Sequence, residues 1–387
     1  MRVMFLSTPV EAHVAPMLSL AWAARAAGHE VVFAGSPNVA DVATGAGLCA
    51  EVIGDRFHTL DMLRFGLTEG HRPIHLFDKT VENSRGLSIW HIHAAYHLTR
   101  HLDFARAWRP DLIVSEQLEL TGCVIGAVLG VPAIQHRWGI DALSAVVREM
   151  GGGVLGMLCR RLGLDGFPEP AEWLDPTPPK LQVPGIAAAE PLRYLPVNGA
   201  GSVPPWLHDR RADKRVCVSL GGVTVQLNGL PLFRTIIDAF DGLDDVEALV
   251  TLEPEHAAKL GPLPRNVRVV EPTPLNLFLG TCDAVVHHSG SASLMTATSF
   301  GLPQLALPQL VDQFEVADRL RATGAGLVLD EAADQDDVKT VRHALDELLA
   351  EPRFTEAAAG LAADMAAAPS PAEVVTRLEA LACAPAA

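Results

Sequence analysis

A segment crowded with proline and glycine divides the sequence into two halves. Residues 176–206 read PTPPKLQVPGIAAAEPLRYLPVNGAGSVPPW. Proline cannot continue a helix or donate a hydrogen bond to a strand ladder, so this stretch predicts a connector. A chain of 387 residues is long for one ordinary domain, and the connector therefore predicts two domains of about 150–200 residues each.

Short apolar runs alternate with helical segments on both sides of the connector. In the first half the runs are VMFLS (3–7), EVVFAG (30–35), DLIVSE (111–116) and VPAIQH (131–136). In the second half they are VCVSLG (216–221), EALVTL (247–252), VRVVEP (267–272), AVVHH (284–288), PQLALP (303–308) and GLVLD (326–330). This alternation predicts an α/β fold of two Rossmann-like, doubly wound domains, each with a parallel sheet between helices.

The connector and the strand pattern set the expected boundaries. We expect an N-terminal domain over 1–197, a linker over 198–212, a C-terminal domain over 213–368, and a tail or helix over 369–387 that returns to the N-terminal domain. Open α/β sheets bind ligands at the carboxyl ends of their strands, so we expect the site in the cleft between the domains.

Charge and cysteine usage exclude several classes of protein. The formal net charge is -16 and no basic run exceeds two residues, which argues against nucleic acid and anionic membranes as partners. The six cysteines are scattered without a CxxC pair, and most lie in apolar segments, as is typical of buried thiols in a reducing compartment. The first apolar run is too short for a signal sequence, and no apolar stretch approaches the about 18 residues of a membrane span. We therefore expect a cytoplasmic protein.

The heptapeptide HHSGSAS, residues 287–293, lies between the apolar run AVV and a predicted helix. The first N–H groups of a helix have no internal acceptor and carry partial positive charge. Because residues 290–293 have small side chains, an anion can reach these groups, and His288 can donate from the opposite side. The pattern predicts a diphosphate cradle that needs no lysine. The simpler alternative is a tight turn that requires small residues.

The neighbouring strand ends carry further polar residues. EPTPLNLFLGTC follows the strand before, and GLPQLALPQLVDQFE places Asp312 and Gln313 at the end of the strand after. Three consecutive strand ends could then contact a base, a diphosphate and a sugar. Two structural alternatives stay open. Asp312 and Glu315 fit an N-cap with its capping-box partner, and His287 fits an internally hydrogen-bonded strand residue.

The run over 271–329 resembles the donor-site signature of GT-B glycosyltransferases, most closely of those that attach deoxysugars to polyketide and other antibiotic aglycones. The family pattern HHGGAGT here reads HHSGSAS, with Ser289 and Ala292 in place of glycines and Ser291 in place of alanine. The resemblance extends to the N-terminus, to the linker RYLPVNGAGSVPPWL and to the VCVSLGG strand. It implies the GT-B architecture, in which two Rossmann-like domains face each other across a cleft.

The resemblance also implies roles for residues of the second half. The diphosphate would be held by His288, Gly290, Ser291, Ala292 and Ser293, with Ser219, Gly221 and Gly222 facing it from the first strand of that domain. Thr273 and Leu275 would contact the base, and Asp312 and Gln313 would bind sugar hydroxyls. It implies no metal and no other cofactor, the nucleotide sugar being a substrate.

An acceptor hydroxyl must lose its proton, and His13 is the predicted general base. It lies between the first strand and the first helix, where the positive helix end favours a neutral imidazole. The family pattern GHxxP here reads Ala12-His13 with Pro16. The alternative is a histidine that caps or packs against the first helical turn.

The carboxylate partner of His13 is left open between two residues. Glu116 ends DLIVSE, and Asp141 lies in HRWGID, at another strand end. Either could orient the base or act near the acceptor. Glu116 also fits a solvated charge at a strand end.

Residues 57–101 are rich in histidine and aromatic residues. His93, His97 and His101 recur at i, i+4 and i+8, a spacing that zinc sites use, but no cysteine or carboxylate completes a set in the sequence. In the family this segment forms the acceptor pocket for flat, apolar aglycones. The predicted pocket residues are Phe57, Phe65, Trp90, Tyr96 and Trp138, which fit ordinary core packing as well.

Together these features predict an inverting glycosyltransferase that moves a deoxysugar from a nucleoside diphosphate such as dTDP to a hydrophobic, polyketide-like aglycone. A nucleotide-sugar 2-epimerase stays open but would need extra carboxylates and no acceptor pocket. A non-catalytic donor-binding helper stays open but would lack the base. A dehydrogenase is disfavoured because no GxGxxG follows the first strand. The expected partners are a nucleotide sugar and a small hydrophobic aglycone, without nucleic acid or membrane, and a homodimer is left open.

Overall fold

Two parallel sheets, one in each half of the chain, organise the computed structural model, which describes residues 1–76 and 88–383. The strands of the first sheet are β1 (Arg2–Leu6), β2 (Glu30–Gly35), β3 (Cys49–Val52), β4 (Leu112–Glu116), β5 (Ala133–His136), β6 (Glu172–Asp175) and β7 (Glu190–Pro191). Their order in the sheet is β3-β2-β1-β4-β5-β6-β7, and each neighbouring pair is parallel.

The second sheet has six strands and repeats this arrangement. They are β8 (Lys214–Ser219), β9 (Val246–Thr251), β10 (Val267–Val270), β11 (Ala284–His287), β12 (Gln304–Ala306) and β13 (Gly326–Val328), in the order β10-β9-β8-β11-β12-β13. In both sheets the chain winds outward from a central pair, β1 and β4 or β8 and β11. This is the topology of doubly wound nucleotide-binding folds, and the predicted α/β class is confirmed.

Helices cover both faces of each sheet. In the first half they are α1 (Glu11–Val14), α2 (Leu18–Ala26), α3 (Pro37–Gly45), α4 (Thr59–Arg64), α5 (Ser88–Trp108), α6 (Thr121–Leu129) and α7 (Ser144–Arg161). In the second half they are α8 (Gly221–Thr224), α9 (Leu230–Ala239), α10 (Pro254–Ala257), α11 (Ser291–Ser299), α12 (Val311–Thr323), α13 (Ala332–Gln335), α14 (Val338–Ala350), α15 (Pro352–Ala367) and α16 (Pro371–Cys383). Within residues 1–76 and 88–383, no helix combines the length and apolarity that crossing a bilayer requires.

Every strand predicted from an apolar run is present, but β3, β6 and β7 were not predicted. Strand β7 lies inside the proline-rich stretch 176–206, so the prediction that this whole stretch is a connector is wrong. Pro191 is compatible with a strand here because β7 is the outermost strand, where a missing ladder donor is tolerated.

The end of the described chain crosses back to the first half. Helix α16 packs against α2, and Val374, Val375 and Leu378 are buried in the core beneath the first sheet. His29 Nε2 lies 2.8 Å from Glu379 Oε1 at the edge of this contact. The last four residues of the predicted tail, 384–387, lie outside the described residues.

Candidate active site

The β1–α1 corner, residues 7–13, joins the end of β1 to a short helix. Thr8 is fully buried, and its Oγ1 lies 2.7 Å from Nδ1 of His13. The imidazole stacks on the indole of Trp138, with ring centroids 3.9 Å apart and planes 16° apart. Trp90 is tilted against the same imidazole, with centroids 5.8 Å apart. One ring nitrogen of His13 is therefore anchored, and two indoles lie close to the ring, one of them stacked on it.

Glu116 connects this corner to the neighbouring strand β4. Its Oε1 accepts hydrogen bonds from Oγ1 and N of Thr8, at 2.6 and 3.1 Å, and its Oε2 accepts one of 2.7 Å from N of Leu118. Oε1 lies 3.8 Å from Nδ1 of His13. Glu116 is completely buried, so the alternative of a solvated strand-end charge is wrong.

Asp141, the other candidate carboxylate, is buried and hydrogen-bonded to residues that stabilise the fold. It accepts from Nε of Arg137 at 2.9 Å, from Nε2 of Gln117 at 3.0 Å and from N of Ser144 at 2.9 Å. Arg137 in turn donates to Asp175 at 3.0 Å. The carboxylate of Asp141 forms a buried ion pair with Arg137 and accepts from the first N–H group of α7. None of its hydrogen bonds in the described chain involves His13. Glu116, and not Asp141, is the carboxylate beside the candidate base.

The β11–α11 corner, residues 287–293, lies at the carboxyl end of the second sheet. His287 accepts a hydrogen bond from N of Ser289 at 2.9 Å through Nδ1, and its Nε2 lies 2.8 Å from Oε1 of Gln304. Both ring nitrogens of His287 thus have hydrogen-bond partners, which confirms the alternative that it is an internally hydrogen-bonded strand residue. Gly290 precedes α11 and offers no side-chain cap, so the first N–H groups of α11 have no intrahelical acceptor.

His288 occupies the space between two glycines. A Cβ added to Gly290 would clash with Nε2 of His288, and one added to Gly221 would lie 2.9 Å from its Cε1. The sequence analysis explained Gly290 by access for an anion, but the histidine ring itself also requires it. Burial lowers the pKa of His288 to about 4, so this imidazole is a neutral hydrogen-bond donor near pH 7.

The two corners meet across the cleft. Oγ of Ser291 lies 3.3 Å from the carbonyl oxygen of Trp138, the residue that stacks on His13. The same hydroxyl is packed so closely against Gly139 that a Cβ there would clash. The side chain of Ser291 thus contacts Trp138 and Gly139 of the other domain, and its backbone N–H group is left for a ligand.

Asp312 and Gln313, the predicted sugar-binding pair, have separate roles in α12. Oε1 of Gln313 accepts from N of Gln309 at 2.8 Å and from N of Leu310 at 3.1 Å, and so caps the helix. The predicted cap by Asp312 and Glu315 is wrong because α12 begins before Asp312, at Val311. Burial raises the pKa of Asp312, and His13 of the other domain acts in the opposite direction. The carboxyl group of Asp312 therefore lies within electrostatic range of the candidate base.

The remaining predicted nucleotide contacts lie on neighbouring loops. Ser219 ends β8 beside His287 of β11. Gly221 has a φ of 71°, in the left-handed region that favours glycine, and Gly222 has open space around it. Thr273 donates to the carbonyl of Glu271 at 2.9 Å, and Leu275 is buried.

The predicted pocket residues separate into two groups. Trp90 and Trp138 are buried against His13, and Phe57 is partly buried near Asn38. Phe65 is 91% exposed and Tyr96 58% exposed. The structure therefore brings the two tryptophans to the base and leaves Phe65 and Tyr96 on the surface.

The row of histidines on α5 has a carboxylate that the sequence did not reveal. Nε2 of His93 lies 3.1 Å from Oε2 of Glu119, and Nδ1 of His101 lies 3.0 Å from Oγ1 of Thr121. Burial opposes ionisation of Glu119, but His93 and Thr121 lower its pKa to about 2. Among the described residues, no three His, Cys, Asp or Glu side chains are arranged to hold a metal ion.

Arg72 is an interdomain contact that sequence reasoning missed. Its Nη1 donates to Oε1 of Gln309 and of Gln335, at 3.0 and 2.6 Å, and its Nη2 donates to Oδ1 of Asp336 at 2.6 Å. A loop of the first domain is thereby tied to the end of β12, close to Asp312. No periodic pattern in the sequence marks such a loop.

Comparisons with known proteins agree with this geometry. The family described as erythromycin biosynthesis protein CIII-like matches with its N-terminal domain over residues 22–221 and with its C-terminal domain over 234–381. The L-demethylnoviosyl transferase of Streptomyces niveus is 34% identical over 390 residues, with 98% of each chain covered. The aclacinomycin-T 2-deoxy-L-fucose transferase of Streptomyces galilaeus is 32% identical, with 98% of this chain and 96% of that protein covered.

Solved structures resemble the whole chain. The spinosyn rhamnosyltransferase SpnG superposes with a TM-score of 0.85 at 35% identity, covering 98% of this chain and all of that one. Its complex with thymidine diphosphate gives 0.84 at 36% identity, with the same coverage. Both halves of the family and full-length relatives match, so this chain belongs to the erythromycin biosynthesis protein CIII-like family and is a GT-B glycosyltransferase.

Proposed function

We propose that this glycosyltransferase moves a deoxysugar from dTDP to a hydroxyl group of a hydrophobic, polyketide-like aglycone, with inversion at the anomeric carbon. One observation carries the proposal: the anchored imidazole of His13 lies across the cleft from the open N-terminus of α11. Support for the substrates comes from the names of the relatives, which include a 2-deoxy-L-fucose transferase and a rhamnosyltransferase complexed with thymidine diphosphate and with an aglycone.

The donor side stabilises the leaving group. The N–H groups at the start of α11 point toward the diphosphate, where the helix dipole favours negative charge. His288 adds a neutral donor, which compensates developing charge without adding a cation that must first be desolvated. Because these groups meet the charge of the diphosphate, we expect the reaction to need no metal ion.

The acceptor side removes the proton. The acceptor oxygen attacks the anomeric carbon, the bond from that carbon to the diphosphate oxygen breaks, and the hydroxyl proton passes to His13. The negative charge of Glu116, 3.8 Å from Nδ1, stabilises the imidazolium that forms. A single displacement in which the acceptor enters opposite to the diphosphate inverts the anomeric centre.

Asp312 lies at the meeting point of the two halves. Its carboxyl group is near enough to His13 to interact with it, yet it belongs to the donor domain. We propose that it binds a hydroxyl group of the sugar and so sets the anomeric carbon against the acceptor. Gln313 uses its carbonyl oxygen within α12, so only its amide N–H groups are left for the sugar.

The direct test is turnover with defined substrates. The purified protein is incubated with a dTDP-deoxysugar and a panel of polyketide aglycones, and glycoside and released dTDP are measured by mass spectrometry. The anomeric configuration of the product, determined by NMR coupling constants, tests inversion. Nucleotide sugar that epimerises without any acceptor would instead identify an epimerase, and tight dTDP binding without turnover on any aglycone would identify a helper protein.

A further inference from the structure

Thr8 lies between the base and its carboxylate. Its Oγ1 is 2.7 Å from Nδ1 of His13 and 2.6 Å from Oε1 of Glu116. The direct distance from that carboxylate oxygen to Nδ1 is 3.8 Å, too long for a hydrogen bond. The hydroxyl group of Thr8 is therefore the only hydrogen-bonded link from Glu116 to His13 in the described chain.

The number of protons on these groups fixes the direction of each hydrogen bond. An ionised carboxylate only accepts, and Oε1 of Glu116 receives the hydroxyl proton of Thr8. The hydroxyl has one proton, so toward His13 its oxygen can only accept. Nδ1 of His13 must then carry the hydrogen, and Nε2 is left with the lone pair.

We propose that Thr8 is a positioning residue that holds His13 in the Nδ1–H tautomer and so presents Nε2 as the proton acceptor. This inference rests on the proposed function, in which His13 is the base. During transfer the acceptor proton moves to Nε2, the hydrogen on Nδ1 stays in its bond to Thr8, and neither Thr8 nor Glu116 changes its protonation state.

The surroundings make this a rigid arrangement. Thr8 is fully buried, and its backbone N–H also donates to Oε1 of Glu116, at 3.1 Å. Strands β1 and β4 are paired directly, with Leu6 opposite Ser115, so the ends that carry Thr8 and Glu116 cannot separate independently. A β-branched side chain has few rotamers, which further restricts the hydroxyl group.

The experiment compares two substitutions of Thr8. Thr8→Val keeps the shape and removes the hydroxyl, whereas Thr8→Ser keeps the hydroxyl and removes the methyl. We expect Thr8→Val to lower kcat by about 10–10²-fold, part of the about 10²–10⁴-fold that a general base supplies, with KM for the nucleotide sugar unchanged. Thr8→Ser should retain kcat within about threefold, and Thr44→Val, at an exposed position of α3, should retain it fully.

A spectroscopic measurement tests the tautomer without relying on turnover. The ¹⁵N shifts of His13, assigned by comparison with His13→Gln, should show Nδ1–H and a bare Nε2 in the unaltered protein and in Thr8→Ser. In Thr8→Val the Nε2–H tautomer should become populated. If Thr8→Val does not fold, the spectrum of the unaltered protein still decides, because a dominant Nε2–H tautomer there overturns the inference.

Two further outcomes separate this inference from the proposed function. Equal kcat and equal ¹⁵N shifts in Thr8→Val, or a Thr8→Ser variant as impaired as Thr8→Val, would exclude the bridge while leaving His13 as base. A His13→Ala variant with undiminished transfer would instead remove His13 from its role as base in the proposed function, and the tautomer measurement would still report on Thr8.

Discussion

The β1–α1 corner and the β11–α11 corner are built alike, yet their hydrogen bonds differ. Both join the end of a central strand to a helix, and they meet at Trp138. In the first corner Thr8, His13 and Glu116 are paired with one another. In the second, the first N–H groups of α11 have neither an intrahelical acceptor nor a side-chain cap.

This difference indicates that the two corners have different functions. A corner whose polar groups are already paired keeps its geometry before any substrate arrives, as a general base requires. A corner with unpaired donors becomes fully hydrogen-bonded only when an anion binds, as expected for a diphosphate site. Substitutions in the first corner should therefore affect turnover, and those in the second should affect nucleotide affinity.

The largest expected effect is on turnover, in the β1–α1 corner. His13→Ala should lower kcat by about 10²–10⁴-fold, because the acceptor loses its proton acceptor. Its affinity for dTDP, measured by calorimetry, should stay within about twofold of the original because α11 and His288 are untouched. The matched control is His208→Ala, an exposed histidine of the predicted linker, which should leave both quantities unchanged. An equal loss of dTDP affinity and turnover in His13→Ala would contradict the assignment of turnover to one corner and nucleotide affinity to the other.

The next effect is on nucleotide affinity, in the β11–α11 corner. Gly290 has a φ of -63°, which alanine adopts readily, so only the clash with His288 opposes Gly290→Ala. Displacing the imidazole should weaken dTDP binding by about tenfold, equivalent to about 1.4 kcal/mol. Gly153→Ala in α7, where a Cβ has open space, is the control and should bind dTDP normally.

A double-substitution cycle isolates the cause. In His288→Ala the ring is gone, so adding Gly290→Ala should change dTDP affinity little further. Additive losses in the double variant would mean that Gly290 acts through the backbone of the cradle rather than through His288.

The strand-end positions of the site residues could be predicted from the sequence. Apolar runs located both sheets because buried parallel strands are almost entirely apolar. His13 follows such a run and His288 ends one, so the rule that ligands bind at the carboxyl ends of strands placed both in the cleft. The edge strands of the first sheet, β3 and β7, were not predicted; β3, for example, is largely exposed and carries no such run.

The contacts between distant residues could not be predicted in the same way. Thr8 and Glu116 are 108 residues apart, and only the strand order places them side by side. That order, with the first strand next to the fourth, is common to doubly wound folds and was a usable signal for Thr8. Arg72 and its partners in the second domain lie 237 to 264 residues apart, and a loop without periodicity gave no signal for this contact.

The β11–α11 corner should also make stability depend on pH. The pKa of His288 is lowered by burial from 6.5 to about 4, so below pH 6.5 the unfolded chain binds a proton that the folded chain does not. The free energy of unfolding should therefore fall as the pH drops from 6.5 toward 4, by at most about 1.4 kcal/mol per pH unit for this group, with no contribution above pH 6.5. Urea titrations between pH 7 and 5 should give a shallower decline in His288→Ala, and parallel slopes in the two proteins would contradict this assignment.

The smallest effect concerns strain, and it too should differ between the corners. Ser289 has a φ of 63°, in the left-handed region that costs a residue with a Cβ about 1–2 kcal/mol, and its buried Oγ lacks a hydrogen-bond partner within the described chain. Glycine removes this strain but adds about 0.5–1 kcal/mol of chain entropy to the cost of folding, so Ser289→Gly should stabilise the protein by about 0.5–1 kcal/mol. The control in the other corner is Ser7→Gly, since Ser7 has no positive φ and donates to the carbonyl oxygen of Thr8 at 2.9 Å. Denaturant unfolding should show Ser289→Gly more stable and Ser7→Gly less stable than the original chain. Of the two corners, only the β11–α11 corner holds a non-glycine residue in a left-handed conformation.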